Sequence, residues 1–99
     1  MKTAYYLEVT LKIDDDDRSA AAELYVKYKK PVLDTISGAV SKELLLREDD
    51  VQVLLGFAAK GDAEGYLESK LFNEDIVTDL KPYLKADPEI RIYEIFPSE

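Results

Sequence analysis

The stretch VQVLLGFAAKGDAEGYLESKLFNEDIVTDLKPYLKADPEIRIYEIF, residues 51–96, decides the fold. It opens with an apolar run, Val51 to Lys60, short enough for a strand and rich in β-branched and aromatic residues. Lys60-Gly61-Asp62 leads into an amphipathic helical segment. Ala63 and Leu67 lie on one line of that helix, whereas Phe72, Ile76, Leu80 and Leu84 lie on a line displaced by one residue. That phase slip predicts an interruption around Ser69 to Asn73, with Asn73 as cap of the second piece ahead of Glu74 and Asp75. Asp87-Pro88 ends the helix, and EIRIYEIF, residues 89–96, is read as a closing strand.

The first half repeats the same order. Strand 1 is expected from Ala4 to Ile13, with Leu7, Val9, Leu11 and Ile13 on one face and Tyr6, Glu8, Thr10 and Lys12 on the other. That period of two marks a half-buried strand. Asp14 to Asp17 break it, and Asp17 is expected to cap the following helix, where a carboxylate also meets the positive end of the dipole. The helix is expected from Arg18 to Ile36 on the stripe Ala21, Leu24, Tyr25, Tyr28, Val32 and Ile36, with a kink or break near Tyr28 because Pro31 removes an amide donor. Ser37-Gly38 stops it. Strand 2, Ala39 to Glu48, and strand 3, Val51 to Lys60, are separated only by Asp49-Asp50, which makes them an antiparallel hairpin. Gly56 within strand 3 predicts a bulge or a close backbone contact. Lys-Pro-x-Leu at residues 30–33 recurs at 81–84, in keeping with a duplicated plan.

Strand, helix, two hairpin strands, helix, strand is the βαββαβ order of an α+β, ferredoxin-like fold: a four-stranded antiparallel sheet with both helices on one face. The whole chain, residues 1–99, is expected to be one such domain. The opposite sheet face then has no helix of its own, and strands 2 and 3 carry apolar residues in both registers, Leu45 and Leu54 as well as Leu44 and Leu55. A bare, partly apolar face of that size predicts a homodimer in which two sheets face one another as a dimeric α+β barrel.

Charge narrows the partners. Thirteen basic against 21 acidic residues give a net charge of −8, which repels phosphate backbones and anionic membranes, so nucleic acid and membrane surfaces are not expected partners. Cysteine is absent, so disulfides and thiolate chemistry are excluded. Met1-Lys2-Thr3 runs directly into a strand, which leaves no signal segment, and a cytoplasmic protein is the expectation. Histidine is absent as well, which removes the usual proton carrier near pH 7 and the usual soft metal ligand. A calcium loop starting at Asp14 would need Gly at its sixth position and Glu at its twelfth, where Ser19 and Tyr25 stand instead. No haem, flavin, metal or other cofactor is expected.

The run GDAEGYLESKLFNEDIVTDLKPYLKADPEIRIYEI, residues 61–95, resembles the C-terminal half of the antibiotic-biosynthesis monooxygenase family of the dimeric α+β barrel superfamily. Members show an acidic helix start, an A-H-L-A-S-P-H-F segment, a helix end with Leu and Pro, and a short P-E-I-x-x-Y-E strand. Asp62-Ala63-Glu64, Tyr66 to Ser69, Phe72, Leu80, Pro82, Leu84 and Pro88 to Glu94 take those places here. The first half matches only by the order of its elements. Tyr66 stands where members carry His, and the chain has neither His nor Trp, so the haem-degrading branch is excluded. The resemblance implies a cofactor-free monooxygenase acting on a small aromatic or polyketide-like substrate in a cavity between sheet and helices. The alternative on the same fold is a non-catalytic small-ligand binder or a structural homodimer.

Without histidine, protons fall to carboxylates, Tyr, Lys or water. Glu8, Lys12, Glu43 and Arg91 are polar strand residues expected toward the barrel interior, where interface ion pairs are their blander role. Seven Tyr against three Phe suit a pocket for a flat phenolic ligand, since each ring both stacks and hydrogen-bonds. Tyr25, Tyr28 and Tyr83 read more simply as core residues with their tips at the surface. The pocket candidates are Tyr6, Glu8, Tyr66, Phe72, Asn73, Arg91 and Tyr93; the sequence singles out no catalytic residue.

Overall fold

The computed structural model describes residues 2–97; Met1, Ser98 and Glu99 lie outside them. Four strands form one antiparallel sheet in the order β2-β3-β1-β4, with β1 Tyr5–Leu11, β2 Ala39–Leu46, β3 Val51–Phe57 and β4 Glu89–Glu94. Helix α1 spans Arg18–Thr35 and α2 spans Lys60–Glu68. The expected βαββαβ, ferredoxin-like architecture is the one observed.

Pairing fixes which side chains share a face. Leu7 lies opposite Leu55 and Ile92, Val9 opposite Val53 and Ile90, and Leu11 opposite Val51. These rows face the helices, and Leu7, Leu55, Val51, Phe57 and, from α1, Val32 are almost wholly buried. Each such side chain contributes about 1.5–3 kcal/mol of hydrophobic stabilisation. Tyr6 pairs with Gly56 and Tyr93, Glu8 with Leu54 and Arg91, and Thr10 with Gln52 and Glu89, all on the opposite face. Glu43 completes the row Glu43, Leu54, Glu8, Arg91. Leu45 and Tyr93 on this uncovered face are 43% and 46% exposed.

Strand β2 changes register between Ala39 and Ser41, with Val40 as the extra residue. Ala39 faces Phe57 on the helix side, yet Lys42 faces Leu55 on that same side. An odd separation of three residues can return to one face only through such a bulge. Gly56 lies across from it. A Cβ there would meet Ser41 Oγ at 2.6 Å and a Thr3 side-chain atom at 2.9 Å, so the close contact belongs to Gly56 and the bulge to its neighbour.

Several local expectations need correction. Helix α1 continues unbroken past Pro31, because the lost donor and the Thr35 hydroxyl, which donates to the Pro31 carbonyl at 2.6 Å, both sit in its last turns. Asp17 stands at the helix start but makes no side-chain cap. A 3₁₀ turn at Asp15–Asp17 already has helical backbone there, which turns the carboxylate away from the amides of the next turn. Gly38 ends α1's connection in a left-handed conformation at φ 76°, and a Cβ would fall 1.9 Å from Asp62 Oδ2. The strands are also shorter than expected. β2 stops at Leu46, where Arg47 donates its amide to the Asp50 carbonyl and its guanidinium pairs with the buried Asp50 carboxylate at 3.0 Å.

The second helical segment is interrupted where the phase slip places it. After α2 come a π-helical turn at Leu71–Ile76, a single α-turn at Val77–Leu80 (α3) and a 3₁₀ turn at Lys81–Tyr83. The cap is Ser69, not Asn73: the Ser69 hydroxyl accepts the Phe72 amide at 3.2 Å and donates to the Tyr66 carbonyl at 2.6 Å. Asn73 instead reaches back to the carbonyls of Leu67 and Ser69, at 2.8 and 3.0 Å. The π-turn's extra residue per turn shifts Phe72 and Ile76 onto the sheet-facing side, where both are buried. The two Lys-Pro-x-Leu copies occupy unlike settings, one inside α1 and one in the 3₁₀ turn.

Candidate functional site

A cavity lies between the sheet and the helical layer. Its floor is Val9, Leu11, Leu44, Val51, Val53 and Leu55; α1 supplies Ala21, Leu24, Tyr25 and Tyr28; Tyr66, Phe72, Ile76 and Leu80 close it from the second helical segment. The space inside is about 40 Å³. A few waters fit in such a volume, whereas a benzene-sized ring needs about 150 Å³. Leu24, Tyr25, Leu44 and Leu80 are only half-buried, so the wall is thinnest where they stand.

Among these apolar and aromatic walls one cation is enclosed. Lys42, turned inward by the Val40 bulge, is 4% exposed, and its Nζ lies 5.4 Å from the Tyr25 ring centroid. The Tyr25 hydroxyl donates to the Lys42 backbone carbonyl, which fixes strand to helix at this point. Lys29 approaches the same ring at 5.7 Å. No carboxylate lies within ion-pair distance of Lys42 among the described residues. Burial, and secondarily the positive charge of Lys29, lower its pKa from 10.5 to about 8. Lysine so placed carries both protonated and neutral forms in mildly basic solution.

Tyr66 is 2% exposed, with its ring 5.9 Å from Phe57 and 5.0 Å from Phe72, centroid to centroid. Burial pushes its hydroxyl pKa above the usual value of 10.0, which keeps it a neutral donor. Neither the Tyr66 hydroxyl nor the Lys42 ammonium has a side-chain or backbone acceptor among the described residues. Yet no fully enclosed side-chain polar atom there lacks a partner, so both groups keep some contact with open space, and both residues are among those that line the cavity. Tyr28 differs. Its hydroxyl is engaged by Asp79, whose carboxylate also meets Lys27 at 3.4 Å, and the trio clasps α1 to the second helical segment.

Of the seven pocket candidates named from the sequence, the structure brings Tyr66 and Phe72 together in this cavity. Tyr6, Glu8, Arg91 and Tyr93 form a separate group on the uncovered sheet face, where Tyr6 pairs with Tyr93 and Glu8 with Arg91. Asn73 is exposed on the π-turn and spends its amide on backbone carbonyls. The sequence reading did not select Lys42. Its signal was the parity of Lys42 with Leu44 and Leu46, two residues of the same strand face. A roomier concavity beside Lys12, Asp14, Asp15, Glu48, Asp49 and Lys85 is open and mixed in charge, and Lys85 already pairs with Asp14 at 2.5 Å.

The same architecture recurs in solved structures, several of which carry the name antibiotic biosynthesis monooxygenase. Among solved structures, a provisionally named antibiotic biosynthesis monooxygenase from Caulobacter crescentus matches with a TM-score of 0.81 at 14% identity, over 97% of this chain and 92% of that one. NE2512, a protein of unknown function from Nitrosomonas europaea, matches at 0.79 and 18% identity, over 98% and 93%. Rv0793 from Mycobacterium tuberculosis matches at 0.78 and 11%, over 97% and 98%. At these identities the likeness establishes the fold. No family model matches the chain, and no curated protein does. No helix among the described residues is long and apolar enough to cross a membrane.

Proposed function

We propose that this chain binds a small aromatic or polyketide-like molecule in the cavity beneath its helices and oxygenates it with dioxygen, without a resident cofactor. The observation that carries this reading is an apolar, aromatic-walled cavity whose lining residues include one lysine and three tyrosines, of which Tyr66 alone has a hydroxyl without a protein partner among the described residues. Such a site suits an electron-rich substrate that is itself the reductant. A substrate CH₂ activated by neighbouring aromatic carbonyl or hydroxyl groups loses a proton, and the resulting anion gives an electron to dioxygen. Recombination forms a C–O bond, and the peroxide then expels water to leave a carbonyl. One oxygen atom stays on the substrate; the other leaves as water with both hydrogens. The protein's part is to hold the ring between Tyr66, Phe72 and the sheet, exclude bulk water, and offer the Tyr66 hydroxyl to the developing oxyanion.

The reading extends to a homodimer in which two uncovered faces meet, burying Leu54, Leu45 and Tyr93 and bringing Glu8 of one copy within the barrel beside Arg91. Light scattering at micromolar concentration tests the dimer, and a mass of one chain overturns it. For the reaction, dioxygen uptake with an anthrone and a naphthalene-diol should be catalysed by the wild type and lost in Tyr66→Ala. The tightness of the cavity favours a second reading, a non-catalytic binder or structural dimer of the same fold. Saturable binding without uptake would select it.

A further inference from the structure

We propose that the ligand of this cavity is anionic, a small aromatic acid or acidic phenol bound in its ionised form, and that Lys42 is the residue that selects for that charge. The inference rests on the reading of the cavity as a ligand site and adds the substrate's charge to it.

A lysine that packs its stem usually lets its ammonium reach water along the surface. Lys42 has no such escape at 4% exposure, because Leu55 and Leu44 flank it on the sheet and α1 covers it. An enclosed ammonium is costly unless an opposite charge or acceptors meet it. The chain holds 21 acidic residues, so a carboxylate is its most available partner. Yet every ionisable group that faces Lys42 from the elements packed on it is neutral or positive: Tyr25, Tyr28 and Lys29 from α1, and Tyr66 from α2. Asp79, which contacts Tyr28 of that wall, is held by Tyr28 and Lys27. The Tyr25 ring compensates the charge only in part.

The Tyr66 hydroxyl is likewise a buried donor without an acceptor, so the two unpartnered polar groups among the lining residues have the same deficit. Both are donors, and what would complete both is an oxyanion. A carboxylate or phenolate supplies it, and the attached ring enters among Phe72, Ile76 and the sheet as the half-buried wall of Leu24, Tyr25, Leu44 and Leu80 moves outward to enlarge the space.

Calorimetric titration of matched pairs tests this, using benzoate against benzamide and 4-nitrophenolate against nitrobenzene, with wild type, Lys42→Met, Lys42→Gln and Tyr66→Phe. The wild type should bind at least one anion about tenfold or more tighter than its neutral partner. Lys42→Met and Lys42→Gln should both abolish that preference while leaving the neutral compound's affinity unchanged, and Tyr66→Phe should weaken the anion less. Preference within the benzoate pair alone identifies a carboxylate site, and within the nitrophenolate pair alone a phenolate site. Equal affinity within both pairs, or a preference that survives in folded Lys42→Met, overturns the anion assignment and leaves the cavity reading standing. No saturable binding of any of the four compounds overturns both.

Discussion

Replacing Lys42 by methionine should make the protein more stable at neutral pH, and the gain should shrink as the pH rises. Methionine keeps the unbranched stem and fills the same space, while removing the charge. A drop in pKa from 10.5 to about 8 on folding corresponds to about 3 kcal/mol of destabilisation when both states are protonated, at about 1.4 kcal/mol per pH unit. Between these two values the unfolded chain binds more protons at this position than the folded one, so wild-type stability rises with pH. About 2 kcal/mol of that penalty is relieved between pH 7 and 9.5. The mutant lacks this slope. It also loses the contact of the ammonium with the Tyr25 ring, about 0.5–2 kcal/mol, so its net gain at pH 7 should be about 1–3 kcal/mol. With a urea dependence of about 1–3 kcal/mol per molar, that moves the midpoint by about 1 M. Paired urea melts at half-unit steps from pH 7 to 9.5 provide the measurement. Staying below pH 10 avoids tyrosine ionisation in the unfolded chain, which would pull stability the other way because the buried Tyr66 hydroxyl keeps its proton. A difference between wild type and mutant that is flat with pH, or a wild type more stable at pH 7, refutes the buried, unpaired ammonium.

Two further outcomes follow from the packing. Tyr66→Phe should cost no more than about 1.5 kcal/mol, since only a hydroxyl without a protein acceptor is lost, whereas Tyr66→Ala should cost about 3–5 kcal/mol by opening a void between Phe57 and Phe72; urea melts of both mutants check it. Tyr28→Phe should weaken the protein at neutral pH but not in strong acid. The Tyr28 hydroxyl, and then Lys27, hold the Asp79 carboxyl below its usual 3.8, so their stabilisation is present above that value and is lost as the pH falls through the lower folded one. Acid titration of wild type and Tyr28→Phe followed by circular dichroism should show the two curves converging.

The sheet order and the break in the second helix were legible because each rests on local periodicity. Leu7, Val9 and Leu11 alternate cleanly, and the one-residue slip between Leu67 and Phe72 registers the extra residue of the π-turn. The caps were not legible. Asp17 and Asn73 are good capping residues by type, but capping depends on the backbone conformation that a preceding 3₁₀ turn or an intervening Ser69 imposes. The candidate site was half legible. Tyr66 stood out by its place in the family resemblance, off the Ala63–Leu67 line, and Phe72 by the apolar line of the second helical piece, whereas the Tyr6, Glu8, Arg91 and Tyr93 group follows the bare side of the sheet. Lys42 escaped because AVSKELLL has apolar residues in both parities, and a strand's inward face cannot be assigned from alternation that points both ways.

The extra residue at Val40 does more than bend an edge strand. If β2 ran regularly from Ala39, Ser41 would face Leu55 and Lys42 would face Leu54 on the outside, and Glu43 would stand opposite Val53 beneath the helices. The same eight residues would then offer the cavity a carboxylate in place of an ammonium. The electrostatic sign of the site is thus written in strand register and not in residue identity. Within this fold, moving one bulge would invert the charge that the strand presents to the cavity, with no substitution at any of the lining positions.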